Sequence, residues 1–391
     1  MSTAPAPPST NRRRRILQAL AAGTIGLPFA LKALLGDNLA RAQTGARTDE
    51  RQYRWKMVTT WPPGFPILGE GCTLFADWVR TMSNGRLDIR VYGGGELVPA
   101  LEAFDAVRGT ETVAADGSKR FTAGAAEMGS GCSYYWAGKV PAAQFFATVP
   151  FGMNAQQHNA WIQAGGGMDL WRETYAAFNL VPFLAGNTGV QMGGWFNRRI
   201  ETTADLRGLK MRIPGLGGKV LARAGGSPVL LPGGDLYSSL ERGVIDATEW
   251  VGPYHDYLMG FHEIADYYYT PGWHELGTAF ELFANQQQYD ALPADLQLIL
   301  DTAALRLNGW VLAQFEAQNA VYLARIKAET QVQVLPFPEA VLAQLKRDTA
   351  ATIAELTAAD PLARRVYASY RAFQERGRDW SALTERAYYE L

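Results

Sequence analysis

Cysteine is almost absent from this sequence, with only Cys72 and Cys132 in 391 residues. No CxxC or CxxCH motif occurs, and cysteine and histidine nowhere show zinc-type spacing. This excludes a dithiol redox protein, a c-type cytochrome and a structural zinc module. The two cysteines allow either one disulfide or two buried thiols, and the sequence leaves both open. Any chemistry therefore has to come from other side chains.

Motifs for two common kinds of enzyme are missing as well. The nearest approach to a Gly-x-Ser-x-Gly nucleophile elbow surrounds Ser133, where Tyr135 stands in place of the second glycine. The segment PGLGGKV resembles a phosphate-binding loop, but Val220 stands where a hydroxyl residue would hold magnesium. These departures argue against a serine hydrolase and against a nucleotide-binding protein.

The N-terminal segment has the pattern of an export signal. Residues 12–15 are all arginine, an apolar stretch covers residues 16–31, and Ala40-Arg41-Ala42 has the small residues of a cleavage site. The pair Arg13-Arg14, followed one residue later by Ile-Leu-Gln, is typical of the twin-arginine route. The apolar stretch is too short for a membrane anchor. We therefore predict a signal peptide over residues 1–42 and a periplasmic protein.

Charge and length limit the remaining chain. Without residues 1–42, acidic residues outnumber basic ones and no basic cluster remains, which argues against a nucleic-acid-binding surface. The chain is longer than the size at which a single core usually stops growing, so we expect two lobes.

From residue 52 onward, strand patterns alternate with helix patterns. YRWKMVTTW, LDIRVYGGG, LVPFLAGN and LKMRIPG read as strands, whereas PYHDYLMGFHEIADYYY reads as a helix. This alternation predicts an α/β fold with an open, largely parallel sheet. An insert at 109–126 breaks the pattern with small and polar residues and predicts a surface loop or hairpin.

The C-terminal third is helical. Apolar residues recur at helical spacing from Pro293 to about Glu329, which predicts a helix of about 50 Å. Such a helix has to bridge both lobes or pack on another chain. Further helices are predicted to start near Pro338, Pro361 and Ser381.

Three predicted strand ends carry polar residues that do not suit a core: Gln191, Arg212 and Glu249 with Trp250. In open α/β sheets, ligands bind at the carboxyl ends of strands. Strand alternation points Arg212 out of the core, and its planar guanidinium matches a carboxylate bidentately. The sequence therefore predicts a carboxylate ligand in a cleft beside Arg212.

The neighbouring oxygen donors indicate a hard cation. Amide, carboxylate and main-chain carbonyl oxygens suit sodium or calcium and fit zinc or copper poorly. Glu275, in the turn TPGWHELG, could complete such a site or simply cap its loop. Glu249 taken alone would also be consistent with a salt bridge at a sheet edge, and His274 could reach a ligand through its loop.

Together these residues resemble the solute-binding subunit of a tripartite ATP-independent periplasmic (TRAP) transporter, of the dicarboxylate-binding type. The resemblance covers nearly all of the chain after residue 42. The stretches that carry it are TTWPP, MSNGRLDIRVYGGGELVPALEAFDAV, GCSYYWAGK, FNRRIETTADLRGLKMRIPGLGGKVLARAGGSPVLLPGGDLYSSLERGVIDATEWVGP, ADYYYTPGWHELG and LFANQQQYDALPADLQ. Glu249 followed by Trp250 is similar to the α-keto acid-binding subgroup. The insert at 109–126 departs from the family, whose members have a shorter join there.

The resemblance implies a two-lobed periplasmic binding protein that closes on an organic acid and passes it to membrane subunits. Arg212 would bind the substrate carboxylate, and Tyr134 would contact the ligand. A sodium or calcium ion would be held by Gln191, Glu249 and the Trp250 carbonyl. The subgroup also forms homodimers through long C-terminal helices.

The implied lobes have definite boundaries. The expected division is lobe I at 43–187 and 252–287, lobe II at 188–251 and 288–330, and a helical C-terminal extension at 331–391. The ligand that the resemblance favours is an α-keto acid such as pyruvate. The sequence does not distinguish pyruvate from longer 2-oxo acids or lactate. The alternative function is an exported enzyme that acts on a small carboxylic acid.

Overall fold

The computed structural model describes residues 51–391 apart from residues 115, 117 and 118. The predicted signal peptide lies outside these residues. Within the described part of the chain, no helix combines the length and apolar character that crossing a bilayer requires.

Strands and helices alternate through most of the chain. The strands are β1 (Tyr53–Thr59), β2 (Leu87–Tyr92), β3 (Glu111–Val113), β4 (Lys119–Phe121), β5 (Met128–Gly131), β6 (Leu180–Asn187), β7 (Gly194–Phe196), β8 (Lys210–Arg212), β9 (Ser227–Val229), β10 (Ala247–Thr248), β11 (Tyr267–Thr270), β12 (Ala279–Asn285) and β13 (Gln333–Pro336). The helices are α1 (Leu68–Met82), α2 (Ala103–Arg108), α3 (Gln144–Ala147), α4 (Ala155–Ala164), α5 (Gly167–Ala176), α6 (Gly215–Arg223), α7 (Leu236–Glu241), α8 (Pro253–Leu258), α9 (Gln286–Asp290), α10 (Ala294–Glu329), α11 (Glu339–Ala359), α12 (Pro361–Ser381) and α13 (Ala387–Tyr389).

Two mixed sheets organise these elements. The first has the order β2-β1-β5-β12-β6, and β12 runs antiparallel to its two neighbours. The second has the order β13-β11-β7-β10-β8-β9, and only β7 runs antiparallel to its neighbours. Most strands of each sheet therefore point the same way, and the predicted α/β class is confirmed.

Helix α10 has the predicted bounds and connects the two sheets. It follows Pro293, packs along β6, whose eight residues are all buried, and leads into β13 at the edge of the second sheet. Its buried residues run from Leu296 to Ile326, so both ends contribute to a core. The helix bridges the sheets, one of the two roles that its length predicted.

The structure differs from the sequence reading at two strands. The segment PYHDYLMGFHEIADYYY was predicted as one helix, but the helix ends at Leu258 and the segment continues into strand β11. This strand belongs to the second sheet, whereas the sequence assigned residues 252–287 to lobe I. Gly260 has a left-handed φ of 78°, which stops the helix, and the tyrosine run after it favours a strand. The extension predicted as helical likewise begins with β13, which pairs with β11.

Two open questions from the sequence are settled by the structure. The insert at 109–126 contains the antiparallel hairpin β3–β4, as predicted. Cys72 and Cys132 are both buried free thiols rather than a disulfide. Burial raises the pKa of Cys72 to about 12, so this thiol is not a reactive nucleophile.

The core of the first sheet contains a buried carboxyl group, Glu281 on β12. Its Oε1 accepts a hydrogen bond of 2.7 Å from Trp136 Nε1, and its Oε2 accepts one of 2.8 Å from the Tyr175 hydroxyl. Burial raises the pKa of Glu281 from 4.5 to about 8, and the two hydrogen bonds oppose that shift without cancelling it.

This group should make stability depend on pH. Because the pKa of Glu281 is higher in the folded chain, its stabilising contribution is complete below pH 4.5 and is lost as the pH rises towards 8. Glu281→Gln cannot lose a proton. We therefore expect the free energy of unfolding of the wild type, relative to the variant, to fall by a few kcal/mol between pH 5 and pH 9 (order of magnitude). Urea denaturation at both pH values measures this, and a difference that does not change with pH would contradict it.

Candidate functional site

Arg212 is the last residue of β8 and is almost completely buried, with 1 % of its surface exposed. Its strand pairs with β10, so Thr248 lies opposite Arg212 and Glu249 follows immediately beyond it. Arg212 Nη1 donates to the Glu249 carboxylate and to its main-chain carbonyl oxygen at 3.2 Å, and Nε donates to Leu231 O at 3.2 Å. The remaining nitrogen, Nη2, lies 3.4 Å from the Tyr135 hydroxyl.

The guanidinium is therefore partly paired inside the chain. A buried charge needs compensation, and Glu249, itself 1 % exposed, supplies it. Burial would lower the pKa of Arg212, but the charge of the adjacent Glu249 carboxylate raises it, so the group stays ionised. Among the described residues, the one hydrogen-bond partner of Nη2 is the Tyr135 hydroxyl at 3.4 Å. This nitrogen has the most donor capacity left for a ligand.

Glu249 uses its two carboxylate oxygens differently. Oε1 accepts from Arg212, whereas Oε2 has no hydrogen-bond partner among the described residues. His274 Nε2 lies 3.4 Å from Oε2, which is within ion-pair distance, but the two atoms do not have hydrogen-bond geometry. Oε2 is thus a buried acceptor that the chain itself leaves unused.

The sequence predicted Gln191 at the end of a strand, but in the structure this residue lies outside the strands. It lies on the connection from β6 in the first sheet to β7 in the second, three residues before β7 begins. Its Nε2 donates to Glu275 Oε2 at 2.7 Å, and its Oε1 has no hydrogen-bond partner within the described chain. Main-chain bonds to Gly272 and Glu275 fix this connection against the TPGWHE turn.

Glu249, His274 and Glu275 form one buried cluster, since a ligand atom of each lies within 4.8 Å of the other two. Burial, and then the charge of Glu249, raise the pKa of Glu275 to about 7. Two carboxylates at this distance repel each other unless a proton or a cation intervenes. With the unpartnered oxygens Gln191 Oε1 and Glu249 Oε2 close to this cluster, the donor set fits a hard cation.

The aromatic residues around Arg212 come from both sheets. Trp250 follows β10, and the Arg212 guanidinium carbon lies 5.2 Å from its ring centroid, a cation–π contact. Trp61 and Phe65, on the connection from β1 to α1, meet the Trp250 ring edge-on at 6.5 and 6.0 Å. The candidate site therefore lies where connections of the two sheets face each other.

The family resemblance implied that Tyr134 contacts the ligand. In the structure, the neighbouring Tyr135 contacts Arg212. Both belong to a 3₁₀ turn at Ser133–Trp136. The ring of Tyr134 is buried against Tyr135 at 4.9 Å, and its Cβ lies close to Gly215 at the start of α6. In a turn with about three residues per turn, adjacent side chains diverge by about 120°, and sequence spacing alone could not rank them.

A family model for bacterial extracellular solute-binding proteins of family 7, DctP, matches residues 57–360. The chain belongs to this family. It is 38 % identical over 377 residues, 96 % of this chain and 98 % of the other, to a monocarboxylate 2-oxoacid-binding periplasmic protein of Nostoc sp..

Two crystal structures of TRAP periplasmic solute-binding proteins are similar to it. One, from Colwellia psychrerythraea, has calcium and pyruvate bound, and the other, from Pseudoalteromonas atlantica, has sodium and pyruvate bound. Each is 42 % identical with a TM-score of 0.81, and each alignment covers 87 % of this chain and 99 % of the other. The chain is thus an extracytoplasmic solute-binding component of a TRAP transporter.

Substitution of Gly233, which lies against the Trp250 ring, tests how tightly this solute-binding site is packed. A Cβ at Gly233 would come within 2.6 Å of the Trp250 ring, whereas a Cβ at Gly234 would meet nothing within 4 Å. Neither glycine has a left-handed φ, so steric contact is the main difference between them. We expect Gly233→Ala to lower the free energy of unfolding by about 1–3 kcal/mol.

Urea denaturation of both variants measures this. Gly234→Ala should stay within about 0.5 kcal/mol of the wild type. Equal effects of the two substitutions would show that the Trp250 ring is free to move.

Proposed function

We propose that this protein captures a small 2-oxo acid together with a sodium or calcium ion in the periplasm and delivers the acid to the membrane subunits of its transporter. Pyruvate is the first candidate. The observation that carries this proposal is the pair of buried, unpartnered oxygens, Gln191 Oε1 and Glu249 Oε2, beside the buried guanidinium of Arg212. The pyruvate, calcium and sodium in the similar crystal structures support it.

The proposed roles follow from donor chemistry. Arg212, through Nη2, binds the ligand carboxylate, and a tyrosine of the 3₁₀ turn, Tyr134, contacts the ligand. Gln191, Glu249, the Trp250 carbonyl and Glu275 hold the cation. A bound cation would supply positive charge that offsets Glu249 and Glu275.

The energies are of the right size for this mode of binding. A hydrogen bond that involves a charged group contributes roughly 1.5–3 kcal/mol net. Two such bonds from a guanidinium, with cation coordination added, approach the roughly 8 kcal/mol that corresponds to micromolar affinity.

Replacement of Arg212 tests the carboxylate contact. Arg212→Lys keeps the charge but removes the planar donor group, so we expect pyruvate affinity, measured by titration calorimetry with calcium present, to fall tenfold or more. Arg223→Lys is the matched control, because Arg223 on α6 is 37 % exposed and pairs with Glu355 at the surface. If Arg212→Lys binds pyruvate as tightly as the wild type, Arg212 does not hold the carboxylate.

Omission of the cation tests the second half of the proposal. In chelator-treated, potassium-buffered protein, we expect pyruvate affinity to drop at least tenfold and to recover on addition of calcium or sodium. In Glu249→Gln the added cation should restore little, because the amide has no charge. Glu355→Gln, at an exposed position, should respond to the cation as the wild type does. Full pyruvate affinity without any sodium or calcium would rule out the cation.

The alternative, an exported enzyme acting on a small carboxylic acid, predicts a different outcome. A binding protein incubated with 2-oxo acids shows a raised melting temperature and returns the acid unchanged. An enzyme consumes it. The missing nucleophile and phosphate-loop motifs and the family membership both support the binding protein.

A homodimer is part of the proposal. Large apolar side chains are exposed along the C-terminal helical segment, where Trp380 is 70 % and Leu383 78 % exposed. Exposed apolar patches of this kind are typical of protein interfaces. Light scattering of the pure protein measures the state directly.

A further inference from the structure

Asp256, on α8, is a buried carboxylate outside the proposed ligand set. It is 1 % exposed and accepts three hydrogen bonds. Oδ2 accepts from Trp195 Nε1 at 3.0 Å and from the Tyr268 hydroxyl at 2.7 Å, and Oδ1 accepts from the main-chain N–H of Val251 at 3.3 Å. Every one of these partners is a donor, so the side chain acts as an acceptor on both oxygens.

The Oδ2 side is anchored in the second sheet. Trp195 lies on β7 and Tyr268 on the neighbouring strand β11, and their rings stack with centroids 4.0 Å apart. Both side chains are fully buried. This side of the carboxylate is therefore held by paired strands and has little freedom to move.

The Oδ1 side is attached to the proposed cation site. Val251 directly follows Trp250, and its carbonyl oxygen accepts the main-chain N–H of Met192 at 3.3 Å. Met192 directly follows Gln191. Val251 therefore connects the main chains of the two segments that carry Gln191, Glu249 and the Trp250 carbonyl, and Asp256 connects Val251 to the sheet.

We propose that Asp256 is a positioning residue for the cation site: its carboxylate fixes Val251 against the second sheet and thereby aims the Trp250 carbonyl and Gln191 at one point. This inference rests on the proposed function, since it takes those groups as cation donors. Mutation of residues that orient metal ligands through hydrogen bonds commonly lowers metal affinity by roughly 10- to 100-fold.

The chain offers a matched control in Glu281. Like Asp256, Glu281 is a buried carboxylate that accepts from one tryptophan indole and one tyrosine hydroxyl. Its partners, Trp136 and Tyr175, do not belong to the segments that carry the proposed cation donors. The two residues thus share their chemistry and burial and differ in the bond to Val251.

Asp256→Asn removes this bond with almost no change of shape. An asparagine amide has one acceptor oxygen in place of two. At the Oδ2 position this oxygen would accept from both Trp195 and Tyr268, whereas at the Oδ1 position it would accept from Val251 N–H alone. We expect the amide oxygen to face Trp195 and Tyr268, which places its NH₂ group against the Val251 N–H and leaves that N–H without an acceptor.

The test is a calcium titration of chelator-treated wild type, Asp256→Asn, Asp256→Ala and Glu281→Gln at pH 8, above the pKa of about 7 that burial gives Asp256. We expect calcium affinity to fall roughly tenfold in Asp256→Asn and further in Asp256→Ala, with Glu281→Gln within about twofold of the wild type. Pyruvate affinity at saturating calcium should stay within about twofold in every folded variant, which separates positioning of the cation donors from general damage to the site. Melting curves identify the variants that are folded.

The outcomes are distinguishable. If either folded Asp256 variant binds calcium like the wild type, or if Glu281→Gln loses as much calcium affinity as Asp256→Asn, the positioning role is wrong. If the wild type itself binds neither calcium nor sodium, the proposed cation site fails, and this inference fails with it for that separate reason.

Discussion

The buried ion pair between Arg212 and Glu249 is the interaction on which the rest of the site depends. Neither side chain exposes more than 2 % of its surface, so each charge relies on the other and on nearby dipoles for the solvation that water would give. Parallel pairing of β8 with β10 puts the two residues at adjacent strand ends. Removal of either partner would leave an uncompensated buried charge, which explains why an acid and a base at these positions belong together.

The pair does not balance the acidic groups around it. Glu275 lies within 4.8 Å of Glu249, and its pKa is raised to about 7 by burial and by that neighbour, while Arg212 is already committed to Glu249. Two oxygens of this buried cluster, Gln191 Oε1 and Glu249 Oε2, have no hydrogen-bond partner among the described residues. A cation that prefers oxygen ligands would use these two oxygens and would also offset the charges of the two carboxylates.

Local features of the site could be predicted from the sequence, and relations between distant segments could not. Arg212 at a strand end and the helix Ala294–Glu329 follow from alternation, from Pro214 and from a long helical period. Gln191 lies off its strand, on a connection between sheets, because contacts with Gly272 and Glu275, some 80 residues away, determine its backbone. The sequence contains no local signal for such contacts.

The same limit explains why the sequence reading missed β11 and passed over Asp256. The pairing of β11 with β7 and β13 decides its conformation, and the helical spacing of the residues before it suggested the opposite. In the sequence, nothing distinguishes Asp256 from other polar residues on short helices. Its role depends on Trp195 and Tyr268, which the pairing of β7 with β11 places beside it.

Anion and cation binding at such a site should be thermodynamically linked. If Arg212 binds the ligand carboxylate as proposed, this carboxylate and Glu249 share the positive charge of one guanidinium, although they use different nitrogens of it. Positive charge beside Glu249 relieves this sharing, since it stabilises the Glu249 carboxylate without using Arg212. By reciprocity, whatever factor the cation adds to the affinity for the acid, the acid adds to the affinity for the cation. Under the proposed roles, the buried ion pair would therefore make the site bind both solutes together more favourably than either one alone.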